Sequence, residues 1–148
     1  MQTSQPSELE NALSHLQCAL VARRTRINPE QITWAQYDVL EILRLRGPML
    51  PSVISETLGI SRPTASKILR ALKDKQFIEQ KAHGEDRREQ MTSLAEKGRE
   101  FLIYTAKSRH EAAALAASVL TPGEQSIFAE LCLKVATALS STQTKAEV

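Results

Sequence analysis

The chain has 148 residues, the length of one domain whose core can fold without disulfides or a structural metal. Hydrophobic residues make up 42% and aromatic residues 4%, which favours packed helices over stacked sheets or an aromatic-lined cavity. The first twenty residues include Glu8 and Glu10 and contain no long apolar run, so we expect a cytoplasmic protein without a secretory signal or a membrane span.

Two amphipathic helices are predicted before residue 47. Ser7 and Glu10 have the spacing of a capping box, and leucines at helical intervals extend the first helix over about residues 8–25. A break at Asn28-Pro29 follows. A second helix then starts near Thr33 and runs to Gly47-Pro48, with one face formed by Trp34, Tyr37, Leu40 and Leu43.

The segment from Pro51 to Gln76 has the pattern of two short helices joined by a tight turn. Pro51 can open a third helix that ends at Leu58, and Gly59 can supply a left-handed turn. Ser61 can cap a fourth helix, whose apolar period is given by Ala65, Ile68, Leu69 and Leu72. This arrangement is typical of a helix-turn-helix.

A small hairpin and two further helices are predicted after Gln76. The segments FIEQKA and EQMTSL are short enough for strands, and HGEDRR between them reads as an exposed tip. One long helix should run from beyond Leu94 to Val119, and a last helix should start in the capping box TPGE at 121–124. The predicted fold is therefore mainly α, with six helices and a β-hairpin wing.

Positive charge is concentrated in one part of the chain. Residues 61–88 hold eight Lys or Arg and four Asp or Glu, a balance of +4, so the other 120 residues sum to −2 given the total of +2. A basic stripe on a nearly neutral body indicates a local contact with a polyanion.

The fourth helix and the hairpin tip carry the candidate DNA contacts. Donors for guanine edges and phosphates, with a threonine methyl for thymine, lie opposite the apolar face at Arg62, Thr64, Ser66, Lys67 and Arg70. Arg87 and Arg88 at the tip are suited to the minor groove, and Asp86 is placed to brace Arg88.

Each feature also has an ordinary interpretation, because basic helix faces are usually solvated surface and HGEDRR is an acceptable plain turn. A glycine-centred turn, a basic second helix and an arginine-tipped hairpin in this order together favour double-stranded DNA as the partner. The alternative is a winged-helix module that binds an acidic protein partner and no specific DNA.

The segment DRREQMTSLAEKG resembles the wing-to-helix signature of the multiple-antibiotic-resistance regulator (MarR) family, Asp-x-Arg followed by Leu-Thr-x-x-Gly. Asp86 and Arg88 match the wing pair, and Leu94 and Gly98 match the strand end and helix start. Ala95 departs from the usual Thr, which removes an expected helix cap. The resemblance also aligns Ser61 to Lys67 with the start of the recognition helix, which adds Ser61 and Pro63 to the candidate DNA contacts.

The resemblance implies a single MarR-like domain over residues 1–148 that acts as a homodimer. Residues 8–32 and 94–142 would form the dimerisation helices, and residues 33–93 the winged helix-turn-helix lobe. Such a dimer would bind a pseudo-palindromic operator, usually as a repressor, and would be released by a small-molecule effector. The family's effector position points to four candidate lining residues: His15, Arg23, Trp34 and Tyr37, although helically spaced aromatics are more often core residues.

The two cysteines, Cys18 and Cys132, lie too far apart in sequence for a Cys-x-x-Cys pair and are expected to be free thiols. In the peroxide-sensing branch of the family, a thiol in the first helix is oxidised and sometimes pairs with a last-helix cysteine of the partner chain, so the resemblance makes Cys18 and Cys132 candidate redox thiols. The commoner situation is a small buried cysteine without a sensing role.

No enzyme, cofactor or metal is expected. His15, His83 and His110 are dispersed and lack a cysteine or carboxylate at ligand spacing. The sequence also contains no phosphate-binding glycine loop, nucleophile elbow or paired-acid arrangement.

Overall fold

The computed structural model describes residues 5–26, 31–83 and 86–141, and of residues 83, 86–89 and 141 the backbone alone. The chain divides into two compact units, residues 1–33 and residues 34–148. The first unit contains helix α1 (Glu8–Arg26). The second contains helices α2 (Trp34–Arg46), α3 (Pro51–Leu58) and α4 (Arg62–Asp74), strands β1 (Ile78–His83) and β2 (Asp86–Leu94), and helices α5 (Glu96–Tyr104), α6 (Ala106–Val119) and α7 (Pro122–Ser141).

Side-chain caps start the first and last helices where the sequence predicted them. The Glu10 amide donates to Ser7 Oγ at 3.1 Å. At the start of α7 the capping box is reciprocal: the Glu124 amide donates to Thr121 Oγ1 at 3.2 Å, and the Thr121 amide donates to Glu124 Oε2 at 3.3 Å. These bonds satisfy amide groups that a helix leaves without an internal partner. The prediction of a mainly helical fold with a hairpin is confirmed.

The single long helix predicted between Leu94 and Val119 is wrong, because the chain forms two helices that meet at Thr105. At Thr105 the backbone has φ −87° and ψ 1°, which takes the chain out of the regular helical path. The Thr105 hydroxyl donates to the Phe101 carbonyl at 3.0 Å, a bond back to the preceding turn that often accompanies a bend. The described part of the chain therefore has seven helices instead of six.

The core of the second unit lies where α2, α3, α4 and α5 meet the base of the hairpin. Its most completely buried side chains are Val39, Leu40, Ile54, Leu72, Thr92 and Leu102. Phe77, just before β1, stacks on Phe101 of α5 with ring centroids 5.0 Å apart. This core fixes the orientation of α4, because the apolar face of that helix faces inward.

Two helices expose apolar side chains along their length. None of the residues of α1 is buried, and its exposed side chains include Leu9, Leu13, Leu16 and Leu20. In the second unit, α7 likewise exposes Ile127, Phe128, Leu131, Leu133, Val135 and Leu139. Exposed apolar surface of this extent usually marks an interaction site.

Candidate nucleic-acid interface

The turn between α3 and α4 is closed by backbone and side-chain hydrogen bonds. Gly59 has φ 65°, the left-handed conformation that the sequence predicted for this position. The Ile60 amide donates to the Ser55 carbonyl at 3.1 Å, and the Ser55 hydroxyl donates to the Ile60 carbonyl at 2.6 Å. The buried serine therefore fixes the approach of the two helices from within the turn.

Helix α4 begins at a serine cap, as predicted. Ser61 has an extended backbone, and its Oγ accepts a hydrogen bond from the Thr64 amide at 3.2 Å. Pro63 lies in the first turn, where the missing amide hydrogen costs no helical bond. The start of the helix is thus fixed by local chemistry.

The two faces of α4 are separated as a recognition helix requires. Its inner face consists of the buried residues Ala65, Ile68, Leu69 and Leu72. All seven positions that the sequence put forward as DNA contacts on this element are exposed: Ser61, Arg62, Pro63, Thr64, Ser66, Lys67 and Arg70. Three of them are cationic, so this face presents positive charge and hydroxyl donors to solvent.

The hairpin differs from the prediction at its tip. The sequence placed residues 83–88 in the tip, but β1 continues to His83 and β2 already begins at Asp86. The strand pairing shifts register between Ala82 and His83, so that Arg87 and Arg88 fall in an irregular stretch of β2 between the paired residues Asp86 and Gln90. Irregularities of this kind redirect side chains. The predicted bracing of Arg88 by Asp86 concerns side chains outside the described residues.

The base of the hairpin is anchored to the segment before α3. Met49 and Thr92 exchange two backbone hydrogen bonds, from the Met49 amide at 2.9 Å and from the Thr92 amide at 2.8 Å. Gln80 Nε2 also donates to Thr92 Oγ1 at 3.2 Å across the hairpin. Because Thr92 is buried, these bonds are shielded from water and hold the base in one position.

Close contact between Gly98 and the chain before β1 joins the hairpin to α5. A Cβ atom at Gly98 would lie 2.1 Å from the Phe77 carbonyl oxygen. That same oxygen accepts a hydrogen bond from the Ala95 amide at 3.0 Å. Ala95 supplies no side-chain cap to α5, as its departure from threonine predicted. The glycine of the motif is therefore required for close packing.

A half-buried polar cluster lies between α2 and α6 and was missed by the sequence analysis. Glu41 accepts two hydrogen bonds from Arg44, at 2.7 Å from Nε and 3.0 Å from a terminal nitrogen. Arg109 of α6 lies 3.4 Å from the same carboxylate and donates to the Tyr37 hydroxyl at 3.2 Å. Trp34 meets Tyr37 edge to face at 5.4 Å. Only the three-residue spacing of Glu41 and Arg44 could have suggested part of this cluster.

The carboxylate also affects the neighbouring guanidinium. The hydrogen bond that Arg44 donates to the Glu41 carboxylate raises the pKa of Arg44 above its ordinary value, although burial acts in the opposite direction. Arg44 therefore stays charged, and with Arg109 it gives the cluster two cations on one carboxylate.

Replacing Arg109 with alanine is expected to lower the free energy of unfolding by about 1–2 kcal/mol, because the Tyr37 hydroxyl and Glu41 both lose a partner in a partly dry site. The side chains of Arg109 and Glu41 are 28% and 17% exposed. Lys107→Ala is the matched control on the same helix, since Lys107 and its partner Glu111 are 86% and 52% exposed, and it should cost less than about 0.5 kcal/mol. Denaturant unfolding at equal protein concentration measures both, and equal losses would contradict the expectation.

The remaining sequence candidates are distributed over both units. On α1, His15 is exposed and Arg23 is half-buried; on α2, Trp34 is half-buried and Tyr37 is buried. The burial of Tyr37 agrees with core packing, the commoner interpretation of such spacing.

Both cysteines are exposed free thiols, so the expectation of small buried cysteines is wrong for Cys18 and Cys132. Each lies on a helix whose apolar residues are not covered within the chain. Within the described ranges no group of histidine, cysteine and acidic residues could hold a metal ion. Nor does any helix in those ranges have the length and apolar character needed to cross a membrane.

A helix-turn-helix with an exposed basic second helix and an adjoining β-hairpin defines a winged helix-turn-helix. Residues 30–89 match the family model described as MarR family. YwaE of Bacillus subtilis (strain 168), an uncharacterised helix-turn-helix transcriptional regulator, is 27% identical over 128 residues, which are 82% of this chain and 75% of YwaE.

Solved structures show the same fold. NadR, determined in complex with 4-hydroxyphenylacetate, has a TM-score of 0.76 at 19% identity over 92% of this chain and 97% of its own. BpsR of Bordetella bronchiseptica, whose DNA binding is regulated by 6-hydroxynicotinic acid, has a TM-score of 0.66 at 21% identity over 87% and 98%. The match of residues 30–89 to the MarR family agrees with the resemblance carried by the wing motif, and the curated relative is described as a transcriptional regulator.

Proposed function

We propose that the protein is a transcriptional repressor that binds a pseudo-palindromic operator through α4 and the hairpin. The observation that carries the proposal is the two-sided character of α4, which buries four apolar residues and exposes Arg62, Lys67 and Arg70 together with hydroxyl groups. Guanidinium and hydroxyl donors on a groove-sized helix suit guanine edges, adenine N7 and phosphates. Operator binding would place the protein in the cytoplasm.

We further propose that it binds as a homodimer, with residues 33–93 as the DNA-binding lobe and residues 8–32 and 94–142 as the dimerisation segments of one MarR-like domain. The exposed apolar side chains along α7 support this, as do those along α1. Two copies of α4 presented by a symmetric dimer would read half-sites about one duplex turn apart.

Operator binding is tested with DNA from upstream of the protein's own gene and with a random DNA library. We expect a salt-sensitive gel shift on a palindrome, with specific binding abolished by Arg88→Ala and weakened about 5-fold or more by Arg62→Ala. Lys107→Ala, a charge removal at an exposed ion pair on α6, is the control and should change affinity little. Failure to select any sequence would support the alternative, a winged-helix module for an acidic protein partner.

A small-molecule effector that releases DNA is part of the proposal. NadR, solved in complex with 4-hydroxyphenylacetate, and BpsR, whose DNA binding is regulated by 6-hydroxynicotinic acid, have the same fold as this chain. Within the second unit the candidate lining residues are Trp34 and Tyr37 from α2, while His15 and Arg23 are candidates from the family resemblance alone. Arg109, which donates to Tyr37, adds a cation beside the aromatic pair.

Thiol oxidation is the second proposed route of release, supported by the exposure of Cys18 and Cys132 in the single chain. Treatment with a hydroperoxide should release operator DNA from the wild-type protein and leave the Cys18→Ser variant bound. Gel shifts before and after treatment, and after reduction with a thiol, measure the effect. Equal release from both proteins would rule out a role for Cys18, and Cys132→Ser tests the second thiol in the same way.

A further inference from the structure

The first turn of α4 contains a hydrogen bond that capping does not require. Besides accepting from the Thr64 amide, the Ser61 hydroxyl donates to Thr64 Oγ1 at 2.8 Å. Both side chains are exposed, so the pair lies on the surface that the proposed function assigns to DNA. One hydroxyl thus holds both the backbone and the side chain of the same threonine.

The second bond restricts the side chain of Thr64. A threonine in a helix divides between two χ1 rotamers, because its hydroxyl can also turn towards the carbonyl of the preceding turn. Donation from Ser61 favours the rotamer that directs Oγ1 towards the cap. With Oγ1 fixed, tetrahedral geometry at Cβ also fixes the methyl group. Since Oγ1 accepts the bond from Ser61, its own hydrogen can be donated to an acceptor outside the protein.

The Thr64 side chain therefore presents a fixed hydroxyl donor beside a fixed methyl group. A base that offers an acceptor beside a methyl group in the major groove would match both. Thymine presents the O4 acceptor next to the C5 methyl group, whereas cytosine presents a donor and no methyl. We propose that Thr64 reads a thymine in each half-site and that Ser61 is the positioning residue that makes this reading selective. The inference rests on the proposed operator binding and names a base preference within it.

Two substitutions of Ser61 distinguish its positioning of the Thr64 side chain from its capping of helix α4. Glycine is nearly as good a cap as serine, so Ser61→Gly removes the hydroxyl with little loss of helix stability, whereas Ser61→Thr keeps the hydroxyl. The operator is first selected from a random library with the wild-type protein. The base pair read by Thr64 is then identified as the position whose preference disappears in Thr64→Ala.

Gel shifts on every single-base variant of that operator then test the proposal. We expect Ser61→Gly to lose about fivefold of the preference for one base over the others at this position, which is the lower end of a good base contact. The preferences at the other positions should be unchanged. Ser61→Thr should behave as the wild type. Deoxyuridine in place of the thymidine should weaken the wild-type protein and leave Thr64→Ser unaffected, since that variant has no methyl.

Equal weakening of Ser61→Gly on all operator variants would show that Ser61 is only a cap and would overturn the inference, while specific binding by the wild type would uphold the proposed function. A preferred base other than thymine would also overturn it. If the wild-type protein selects no sequence, the proposed function and this inference fail together.

Discussion

Gly98→Ala is expected to destabilise the second unit by about 3 kcal/mol, which is the upper range for inserting a carbon atom into a closely packed site. The new Cβ would lie 2.1 Å from the Phe77 carbonyl oxygen. That atom belongs to the backbone and accepts the Ala95 hydrogen bond, so it cannot move aside without separating α5 from the hairpin. In a protein of this size the loss corresponds to a fall in melting temperature of about 10 °C.

Gly123→Ala is the matched control for this substitution. Gly123 lies in the first turn of α7, and a Cβ there would meet nothing within 4 Å. Alanine favours the helical state over glycine, so this variant should be as stable as the wild type or slightly more stable. Thermal unfolding of all three proteins should be followed at one concentration, because oligomer stability depends on it. A Gly98→Ala protein with the same melting temperature as Gly123→Ala would contradict the close approach of the Phe77 carbonyl oxygen to residue 98.

Leu131→Glu is expected to convert the proposed homodimer into monomers. Leu131 lies in the middle of α7 and is 48% exposed in the single chain, so the substitution leaves the fold of that chain intact. In a dimer covered by this face, the carboxylate would be buried without a partner, which is costly. A monomer reads one half-site alone, and its apparent affinity for the operator should fall by about 10²-fold or more.

The control places the same charge on another exposed leucine. Leu45 on α2 is 64% exposed and is flanked by the exposed residues Arg44 and Arg46, so Leu45→Glu should remain dimeric and bind the operator normally. Sedimentation and gel shifts measure both proteins. A Leu131→Glu protein that sediments as a dimer would show that α7 is not the dimer interface.

Local chemistry explains which parts of the fold could be predicted from the sequence. Caps and turn residues act over three or four positions, so Ser7, Gly59, Ser61 and Thr121 marked their helix boundaries correctly. The face of α4 followed from its apolar period. The motif glycine was recognised by resemblance, but its reason, the proximity of the Phe77 carbonyl, depends on a contact between distant segments.

The features that the sequence did not predict depend on tertiary context. The break at Thr105 lies in a segment whose pattern is helical throughout, and the position of the break is set by backbone angles and by hydrogen bonds to Phe101 and Leu102. The Arg109 cluster joins residues 72 positions apart, which no local pattern indicates. The predicted hairpin tip included too many residues, because charge and glycine content do not reveal the register of the strands.

The hydrogen bonds between Met49 and Thr92 at the hairpin base limit how regulation can operate. Within one chain, these bonds tie β2 to the segment before α3, and the Phe77 amide donates to the Leu72 carbonyl of α4 at 3.0 Å, so the spacing between helix α4 and the strands does not depend on how two chains pair. In the proposed operator complex, an inducing signal would therefore leave the footprint on each half-site unchanged. It would instead change the distance between the two footprints, so that the two α4 helices of the dimer no longer match half-sites that lie about one duplex turn apart.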